Sequence, residues 1–485
     1  MKQSAQDDRR RKASTLKWLA LVVSGAAVAL SGCALSKSPQ HAKVVTEALP
    51  PGTTIPPAWT ASSEASGPVT NDWLKSFNDP HLDAVVAQAI AKNLDLRQAA
   101  DQVEIARQKV VVVGSQLKPH ISATLGVNTL RDKDEPSNFN SNAEALGVAW
   151  EPDVWGRLRA QRAAAQAGYQ ATALDYSYAR QSLAATTSTS WYQAVATRQL
   201  VAVDEQALQT YEGLLRLAKV KLAAGQVTQL DVAEASANVN EARNQLRYLQ
   251  GLLSEEQRNL EVLIGSYPAA AVEVSREFVP LPPPVQADLP STLLERRPDL
   301  VSAERQVLVA FRALEASRLA LLPSFSLTAD GGHLYHEVLS ILHLNPWYYQ
   351  VGIGMNVPIY AGGALQAQVK IATAEQQQAV AHYGSVALNA FREVETALTN
   401  ENLYAQRLQD MEQAVQERTE SVRLATIKYK AGAYDLLPVL QLQTAQLATE
   451  SEVIKLRNAR LTNRINLHLA LGGSFDATPA VALLK

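Results

Sequence analysis

The chain of 485 residues repeats itself once along its length. Residues 93–96 align with residues 297–300 at an offset of 204, and residues 224–225 align with residues 431–432 at an offset of 207. Two unrelated helical segments can share a composition, but they would not keep nearly the same offset over such a distance. We therefore infer an internal duplication, which restricts the fold to two similar halves.

Proline-rich stretches divide the chain and set the expected domain boundaries. Prolines cluster between residues 50 and 57 and again between residues 280 and 290. The predicted segments are a leader at 1–32, an extended N-terminal segment at 33–81, repeat 1 at 82–275, a linker at 276–290, repeat 2 at 291–473 and a tail at 474–485.

Long helices dominate each repeat. Valine or leucine recurs every seven residues across 201–222 and again across 232–260. This period is typical of helices that pair as in coiled coils. Residues 157–222 contain no proline, so one continuous helix there would be about 100 Å long. The matching helices of repeat 2 are expected at about 364–430 and 436–471.

The N-terminus has the features of an exported lipoprotein. A basic stretch precedes an apolar run at 18–30, which is too short to span a bilayer. The run ends in Leu30-Ser31-Gly32-Cys33, which resembles a bacterial lipobox and predicts lipidation of Cys33, the single cysteine. Ala34 follows where an acidic residue would favour the inner membrane, so the resemblance points to the outer membrane. A chance cysteine after an ordinary signal peptide is the alternative.

Two segments in the middle of each repeat have the alternation of β-strands. In the clearest one, Val351, Ile353 and Met355 alternate with Gly352 and Gly354. An apolar face opposite a small, polar face is typical of a strand between lipid and a water-filled lumen, although half-buried hairpins of a soluble sheet would show it too. Strands are expected at about 119–130, 143–153, 323–331 and 348–358.

Four strands are too few to close a sheet in lipid. Each unpaired N–H or C=O group at an open edge would cost several kcal/mol there, and bacterial barrels begin at eight strands. Two copies of the chain would supply eight strands and three copies twelve, and a conducting lumen favours three. The predicted fold is mainly α, with a pair of transmembrane β-hairpins per chain, in a trimeric 12-stranded β-barrel continued by a long α-helical barrel.

Composition disfavours several other classes of protein. Lys and Arg number 45 against 47 Asp and Glu, so the chain lacks the basic excess of a nucleic-acid binder. One cysteine excludes internal disulfides and cysteine-based metal clusters. His333 and His336 do not follow the HExxH order, and residues 352–354 belong to a strand rather than a phosphate loop. We expect no catalytic site, metal, cofactor or nucleic-acid partner.

Equivalent glycines mark a tight turn between two long helices in each repeat. Gly225 and Gly432 can adopt the left-handed conformation that ends a helix. Thr228 and Asp435 follow three residues later as good N-caps, and Thr228-Gln229-Leu230-Asp231 approximates a capping box. Equivalent cations lie close to both turns: Arg216, Lys221, Arg423 and Lys428. They either complement the helix dipoles or form a docking surface for a periplasmic partner.

Four motifs resemble those of the TolC-like outer-membrane factors, in the lipoprotein branch that includes OprM- and NodT-type proteins. They are DW…FNDP.L at 72–82, RRPDL..AE at 296–304, VPIYAGG at 357–363 and YKAG at 429–432. The resemblance covers nearly the whole mature chain. It implies a homotrimer in the outer membrane that serves as the exit duct of a tripartite pump for small toxic compounds or drugs. A periplasmic adaptor and an inner-membrane transporter, expected to be of the RND type, would complete the pump.

The resemblance also implies a tip that closes like an iris. Asp231 and Tyr429 match positions that form polar links between neighbouring helix pairs, so both are candidates for a closed-state latch. Tyr434 stands where TolC has a basic partner. Pro438 and Gln441 replace acidic ring residues. This leaves Leu437 as a candidate apolar constriction and Asp435 as the nearest acid or a simple helix cap.

Two other functions remain open at this point. The outer-membrane component of a type I secretion system would share the fold and differ in its cargo. A structural periplasmic lipoprotein, anchored by its acyl chains alone, would have soluble hairpins and no lumen. Sizing after mild detergent extraction and bilayer conductance would separate the scaffold from a channel.

Overall fold

The computed structural model describes residues 35–61, 67–131, 138–336 and 347–476. The leader predicted at 1–32, the lipidation candidate Cys33 and most of the predicted tail therefore lie outside the described residues. Residues 132–137, between β-strand segments of repeat 1, and residues 337–346, between those of repeat 2, lie outside them as well. Among the helices that are described, none combines the length and the apolar character needed to cross a membrane.

Helices and strands follow one another in the same order in both halves. The elements are α1 (His41–Ala48), a 3-10 turn (Trp73–Phe77), α2 (Pro80–Lys92), α3 (Leu94–Ser115), β1 (His120–Arg131), β2 (Asn138–Trp150), α4 (Arg157–Ala223), α5 (Gln229–Leu263), α6 (Pro290–Arg296), α7 (Pro298–Leu319), β3 (Ser324–His336), β4 (Trp347–Asn356), α8 (Ala364–Lys430) and α9 (Leu436–Ala470). The duplicated series are α3-β1-β2-α4-α5 and α7-β3-β4-α8-α9. Their helices have matching lengths of 22, 67 and 35 residues, as a duplication requires.

The chain divides into two compact units, and both repeats contribute to each. One unit contains described residues up to 50 together with 103–172 and 303–384, which include the sheet and the adjoining helix ends. The other contains 51–102, 173–302 and the described residues from 385 onward, which include the remaining helices and the linker.

The four strands form one antiparallel sheet in the order β1-β2-β3-β4. The pairing places Ile121, Val148, Ala329 and Val351 in one row across all four strands. The adjacent row, on the opposite face, consists of Ser122, Gly147, Asp330 and Gln350. Because side chains alternate between the faces of a strand, one face of the sheet is largely apolar and the other is small and polar. Strands β1 and β4 are its two edges.

Two strands extend five residues beyond their expected boundaries. Strand β2 begins at Asn138 rather than near 143, and β3 extends to His336 rather than 331. Backbone pairing continues there into polar sequence, where alternation gives no signal: Arg131 lies opposite Asn138 and Ser141 opposite His336.

The N-terminal segment expected to be extended contains a short helix. Residues 41–48 form α1, which lies just before the first proline cluster and buries Val44. The backbone of Ala48 at the end of α1 lies so close to Gly384 of α8 that a Cβ at position 384 would overlap the Ala48 carbonyl oxygen. This contact fixes α1 against the long helix.

The motif residues at 72–82 hold the core of the helical unit together. Asp79 caps α2, since one of its carboxylate oxygens accepts hydrogen bonds from the amides of His81 and Leu82, both at 3.1 Å. Its other oxygen accepts the indole N–H of Trp191 on α4, also at 3.1 Å. Trp73 packs in the same core, against the buried ring of His468 on α9.

The motif residues at 296–304 have a similar structural role. Arg297 is buried and donates to Asp299 at 2.7 Å, to Glu393 on α8 at 2.7 Å and to the carbonyl of Ala470 on α9 at 3.1 Å. Arg464 is also buried, and its guanidinium contacts Glu401 and the carbonyls of residues 282 and 283 in the linker. These two arginines therefore connect the linker and α7 to the long helices.

We expect opposite effects from alanine at two helical glycines. Gly384→Ala should destabilise the protein by about 1–3 kcal/mol, because the new methyl group overlaps the Ala48 backbone. Gly251→Ala in α5 should stabilise it by about 0.5–1 kcal/mol, because no atom lies within 4 Å of the added Cβ and alanine favours the helix. Thermal unfolding in detergent measures both. A loss of stability in the Gly251 variant, or none in the Gly384 variant, would contradict the packing described.

Candidate functional site

The turns between the paired long helices have the same backbone geometry in both repeats. Gly225 and Gly432 have φ angles of 69° and 76°. The amide of Gly225 donates to the carbonyl of Leu222 at 2.9 Å, and the amide of Gln226 donates to the carbonyl of Lys221 at 2.8 Å. Equivalent bonds at 3.1 and 2.9 Å close the second turn. This is the Schellman motif. A Cβ at either glycine would meet no atom within 4 Å, so backbone conformation alone requires glycine.

The two helical hairpins pack on one another near these turns, which together form the tip. Their shared core combines side chains of α4 and α5 with side chains of α8 and α9. Its buried members are Tyr211, Leu214, Ala218, Val232, Ala235, Val239, Ala425, Tyr429, Leu436, Val439 and Leu440. The hydroxyl of Tyr211, which belongs to this core, lies 3.1 Å from the hydroxyl of Thr444 on α9. The tip is therefore one packed four-helix unit within a single chain.

A buried lysine links the two hairpins. Lys221 of α4 is only 8% exposed, and its Nζ donates to the backbone carbonyl of Tyr429 at 2.5 Å. The same ammonium lies 4.2 Å from the centre of the Tyr429 ring, a cation–π arrangement. The equivalent Lys428 is exposed. Lys221 thus offsets the partial negative charge of a carbonyl near the end of α8, which belongs to the other hairpin. The sequence pattern alone had not distinguished Lys221 from Lys428.

The latch candidate Asp231 is engaged within its own turn. Its carboxylate accepts the Thr228 amide at 2.8 Å and the Thr228 hydroxyl at 2.7 Å, as predicted for a capping box. These hydrogen bonds, the one from the hydroxyl foremost, lower the pKa of Asp231. The carboxylate is therefore ionised near neutral pH.

The second latch candidate, Tyr429, is buried with an unsatisfied hydroxyl. Its ring is 1% exposed, and its OH has no hydrogen-bond partner among the described residues. Burial raises the pKa of this hydroxyl, and the charge of Asp231 raises it further. Within one chain, Asp231 and Tyr429 interact only through this charge, so the polar latch between neighbouring helix pairs stays a prediction.

The remaining gate candidates lie on an exposed surface of the second turn. Tyr434 and Leu437 are 41% and 50% exposed, and Asp435 and Gln441 are exposed as well. Asp435 stands at the N-cap of α9, yet its side chain makes no capping hydrogen bond. Leu437 and Gln441 are four residues apart on α9 and therefore share a face of that helix. The neighbouring Leu436 points instead into the tip core.

Potential metal ligands do not come together in the described ranges. No group of three or more His, Cys, Asp or Glu side chains with a geometry suited to a metal ion occurs there. The predicted lipidation site, Cys33, lies outside those ranges, so its surroundings are not described.

A duplicated chain of paired long helices, joined to a four-stranded sheet with one apolar face, has the architecture of the outer-membrane channels. The structure of the Campylobacter jejuni CmeC outer membrane channel superposes with a TM-score of 0.80. The match covers 90% of this chain and 97% of CmeC at 21% identity, so it shows a common fold. It confirms the predicted fold class.

The sequence comparisons identify the family. Residues 85–266 and 289–473 match the family described as Outer membrane efflux protein, and the chain belongs to that family. The pyoverdine export outer membrane protein OpmQ of Pseudomonas aeruginosa is 31% identical over 441 residues, covering 88% of this chain and 92% of OpmQ. The probable outer membrane lipoprotein SilC of Salmonella typhimurium is 26% identical over 458 residues, covering 92% and 96%.

These matches confirm two expectations from the sequence. The resemblance to the TolC-like outer-membrane factors is correct, and the protein is an outer-membrane efflux channel. The two segments matched by the family also correspond to the two structural repeats, with the linker between them.

We expect Lys221 and Lys428 to differ in their effect on the tip. Lys221→Met keeps most of the side-chain volume but removes the bond to the Tyr429 carbonyl and the cation–π contact, so it should destabilise the tip by about 2 kcal/mol. Lys428→Met, at the equivalent exposed position, should have little effect. Hydrogen exchange of amides near residues 222–232 and 429–440 measures the difference, and equal protection in the two variants would refute it.

Proposed function

We propose that three copies of this chain form the exit duct of a tripartite efflux pump. The strands would complete a 12-stranded barrel in the outer membrane, and the long helices would extend into the periplasm as a tube. An inner-membrane transporter of the RND type and a periplasmic adaptor would deliver small toxic compounds or drugs to the tip. Export through the duct itself would be passive, without a catalytic step, metal or cofactor.

The open edges of the sheet carry this proposal. Leu125 on edge strand β1 is 81% exposed, and so is Ile353 on edge strand β4. Apolar surface of this kind suits contact with lipid, but lipid does not tolerate unpaired strand edges. Closure between β1 of one chain and β4 of the next satisfies both requirements. Three chains give twelve strands, which leave a wider lumen than eight.

The opposite face of the sheet suits a water-filled lumen. Ser122, Thr124, Thr328 and Gln350 share this face with several glycines. Gly352 lies opposite Thr328, whose hydroxyl would be 2.8 Å from a Cβ at that position. The glycines therefore leave room for the polar side chains on this face. A lining of this kind solvates polar cargo without binding it tightly. The name of the relative OpmQ, a pyoverdine export protein, supports export of small molecules.

A lipid anchor at Cys33 is part of the proposal. It rests on the lipobox-like Leu30-Ser31-Gly32-Cys33 and on the similarity to SilC, whose name describes a probable lipoprotein. The anchor would hold the chain in the outer membrane from the periplasmic side. Mass analysis of the N-terminal peptide would test it directly.

Closure of the duct would occur at the tip. Within a chain, the two hairpins are fixed by the shared core and by Lys221. We infer that opening separates neighbouring chains instead, and that Asp231 and Tyr429 contribute to the closed state there. Leu437, with Tyr434, Asp435 and Gln441 on the same exposed surface, would line the constriction.

Reconstitution tests the channel. The protein extracted in mild detergent should run as a trimer, and it should conduct ions across planar bilayers. A monomer that leaves the membrane once its acyl chains are removed would instead indicate a structural lipoprotein. Recovery of an ABC-type rather than an RND-type transporter after cross-linking in cells would indicate a type I secretion role.

Asp231→Ala should loosen the closed tip. Cells carrying this variant should become more sensitive to large antibiotics that the outer membrane normally excludes, by about tenfold if one charge-assisted bond per chain is lost. Thr228→Val is the matched control, because it removes the hydroxyl partner of the Asp231 cap while leaving the carboxylate. Equal leakage in both variants would assign the effect to helix capping, and no leakage in either would remove Asp231 from the latch.

A further inference from the structure

Two charged residues near the end of α7 enclose the backbone of Ser36. The Glu315 carboxylate accepts the Ser36 amide at 2.7 Å and the Ser36 hydroxyl at 2.6 Å. Arg312 donates to the Ser36 carbonyl at 2.9 Å and to the Ser38 hydroxyl at 2.9 Å. Arg312 and Glu315 also pair with each other at 2.6 Å. We call Arg312 and Glu315 the α7 clamp.

The α7 clamp is more than a surface ion pair. The side chains of Arg312 and Glu315 are only 9% and 14% exposed. Burial acts to raise the pKa of Glu315, but the hydrogen bonds from Ser36 and Arg312 outweigh it, so the pKa is lowered overall. Charge-assisted hydrogen bonds in such an environment are stronger than those between neutral groups.

The duplication shows that the helix does not need this pair. At the offset of 204, the residues of α3 equivalent to Arg312 and Glu315 are Gln108 and Val111. Helix α3 has the same 22 residues as α7 and forms without the pair. Charged residues at these positions therefore serve the N-terminal segment, whose Ser36 they bind.

The N-terminal segment runs antiparallel to α7. After Ser36 contacts Glu315, His41 pairs with Glu304 at 3.1 Å, eleven residues earlier in the helix. Ala48 then contacts Gly384 of α8. From His41 back to Ser36 the segment therefore runs toward the C-terminal end of α7, and β3 begins at Ser324 soon after that helix ends.

We propose that the α7 clamp is a docking site for the chain directly after Cys33, and that it sets where the acyl anchor meets the membrane, beside the strands. This inference rests on the proposed lipidation of Cys33. Three residues span at most about 11 Å, so a clamped Ser36 keeps Cys33 within that distance. A segment released from the clamp and held next at His41 would let the anchor reach up to about 29 Å from that residue.

Spin labelling in outer-membrane vesicles tests the clamp. Lys37→Cys introduces an exposed labelling site inside the clamped segment, and acylation blocks the thiol of Cys33. The label should be immobilised in the otherwise unchanged protein. In the charge-swapped variant, Arg312→Glu with Glu315→Arg, the helix keeps an ion pair but position 315 no longer accepts from Ser36. The mobile fraction should rise there by at least about tenfold.

A second variant controls for folding. Arg312→Gln with Glu315→Val gives α7 the residues that α3 carries, so the helix should form while the label becomes mobile. The melting of the oligomer should change little in either variant. A mobile label in the parent protein, or an immobile label in both variants, would overturn the clamp.

Mass analysis of the N-terminal peptide separates the two parts of the argument. Acylated protein whose label mobility does not respond to the variants refutes the clamp alone. If Cys33 is not acylated, it must be replaced by serine before labelling. A mobility difference in that protein would retain the docking site but refute its role in placing a lipid anchor.

Discussion

Inside a lipid bilayer no water is present to bond with unpaired backbone N–H and C=O groups, so the protein must pair them itself. The rest of this structure depends on that constraint. The sheet has four strands and two open edges, while its apolar face is exposed at Leu125, Tyr349 and Ile353. Lipid suits that face but penalises the edges, so the chain is complete only in an assembly. The helices follow from this arrangement, because each pair of strands must return its chain ends to the same side of the membrane.

Duplication gives the helical part a repeated design that small differences then specialise. Both helical hairpins have the same Schellman turn, and both carry a lysine at the corresponding position. Only Lys221 contacts both an aromatic ring and a carbonyl of the other hairpin, because Tyr429 replaces the equivalent Leu222 in the other repeat. The repeats also differ in α7 and α3: α7 has Arg312 and Glu315 at the positions of Gln108 and Val111 in α3. In each case one repeat keeps the plain helical position and the other uses it to bind a neighbouring segment.

The motifs that identify the family have structural roles in this chain. Asp79 caps α2 and holds Trp191, while Arg297 joins α7 to the long helices through Glu393 and Ala470. In both motifs, buried charged side chains specify how the long helices align.

Sequence alone determined the duplication, the long helices, the four strands and the glycine turns, because each depends on local periodicity or on one backbone conformation. It also predicted the Thr228–Asp231 cap, since those residues are three apart. It did not determine the ends of β2 and β3, where polar residues such as Asn138 join the sheet only through strand pairing. Nor did it distinguish Lys221 from Lys428 or connect Ser36 to Glu315, which are 279 residues apart. Those contacts arise only when distant helices pack, and tertiary structure alone decides which charged side chain is buried and which remains in water.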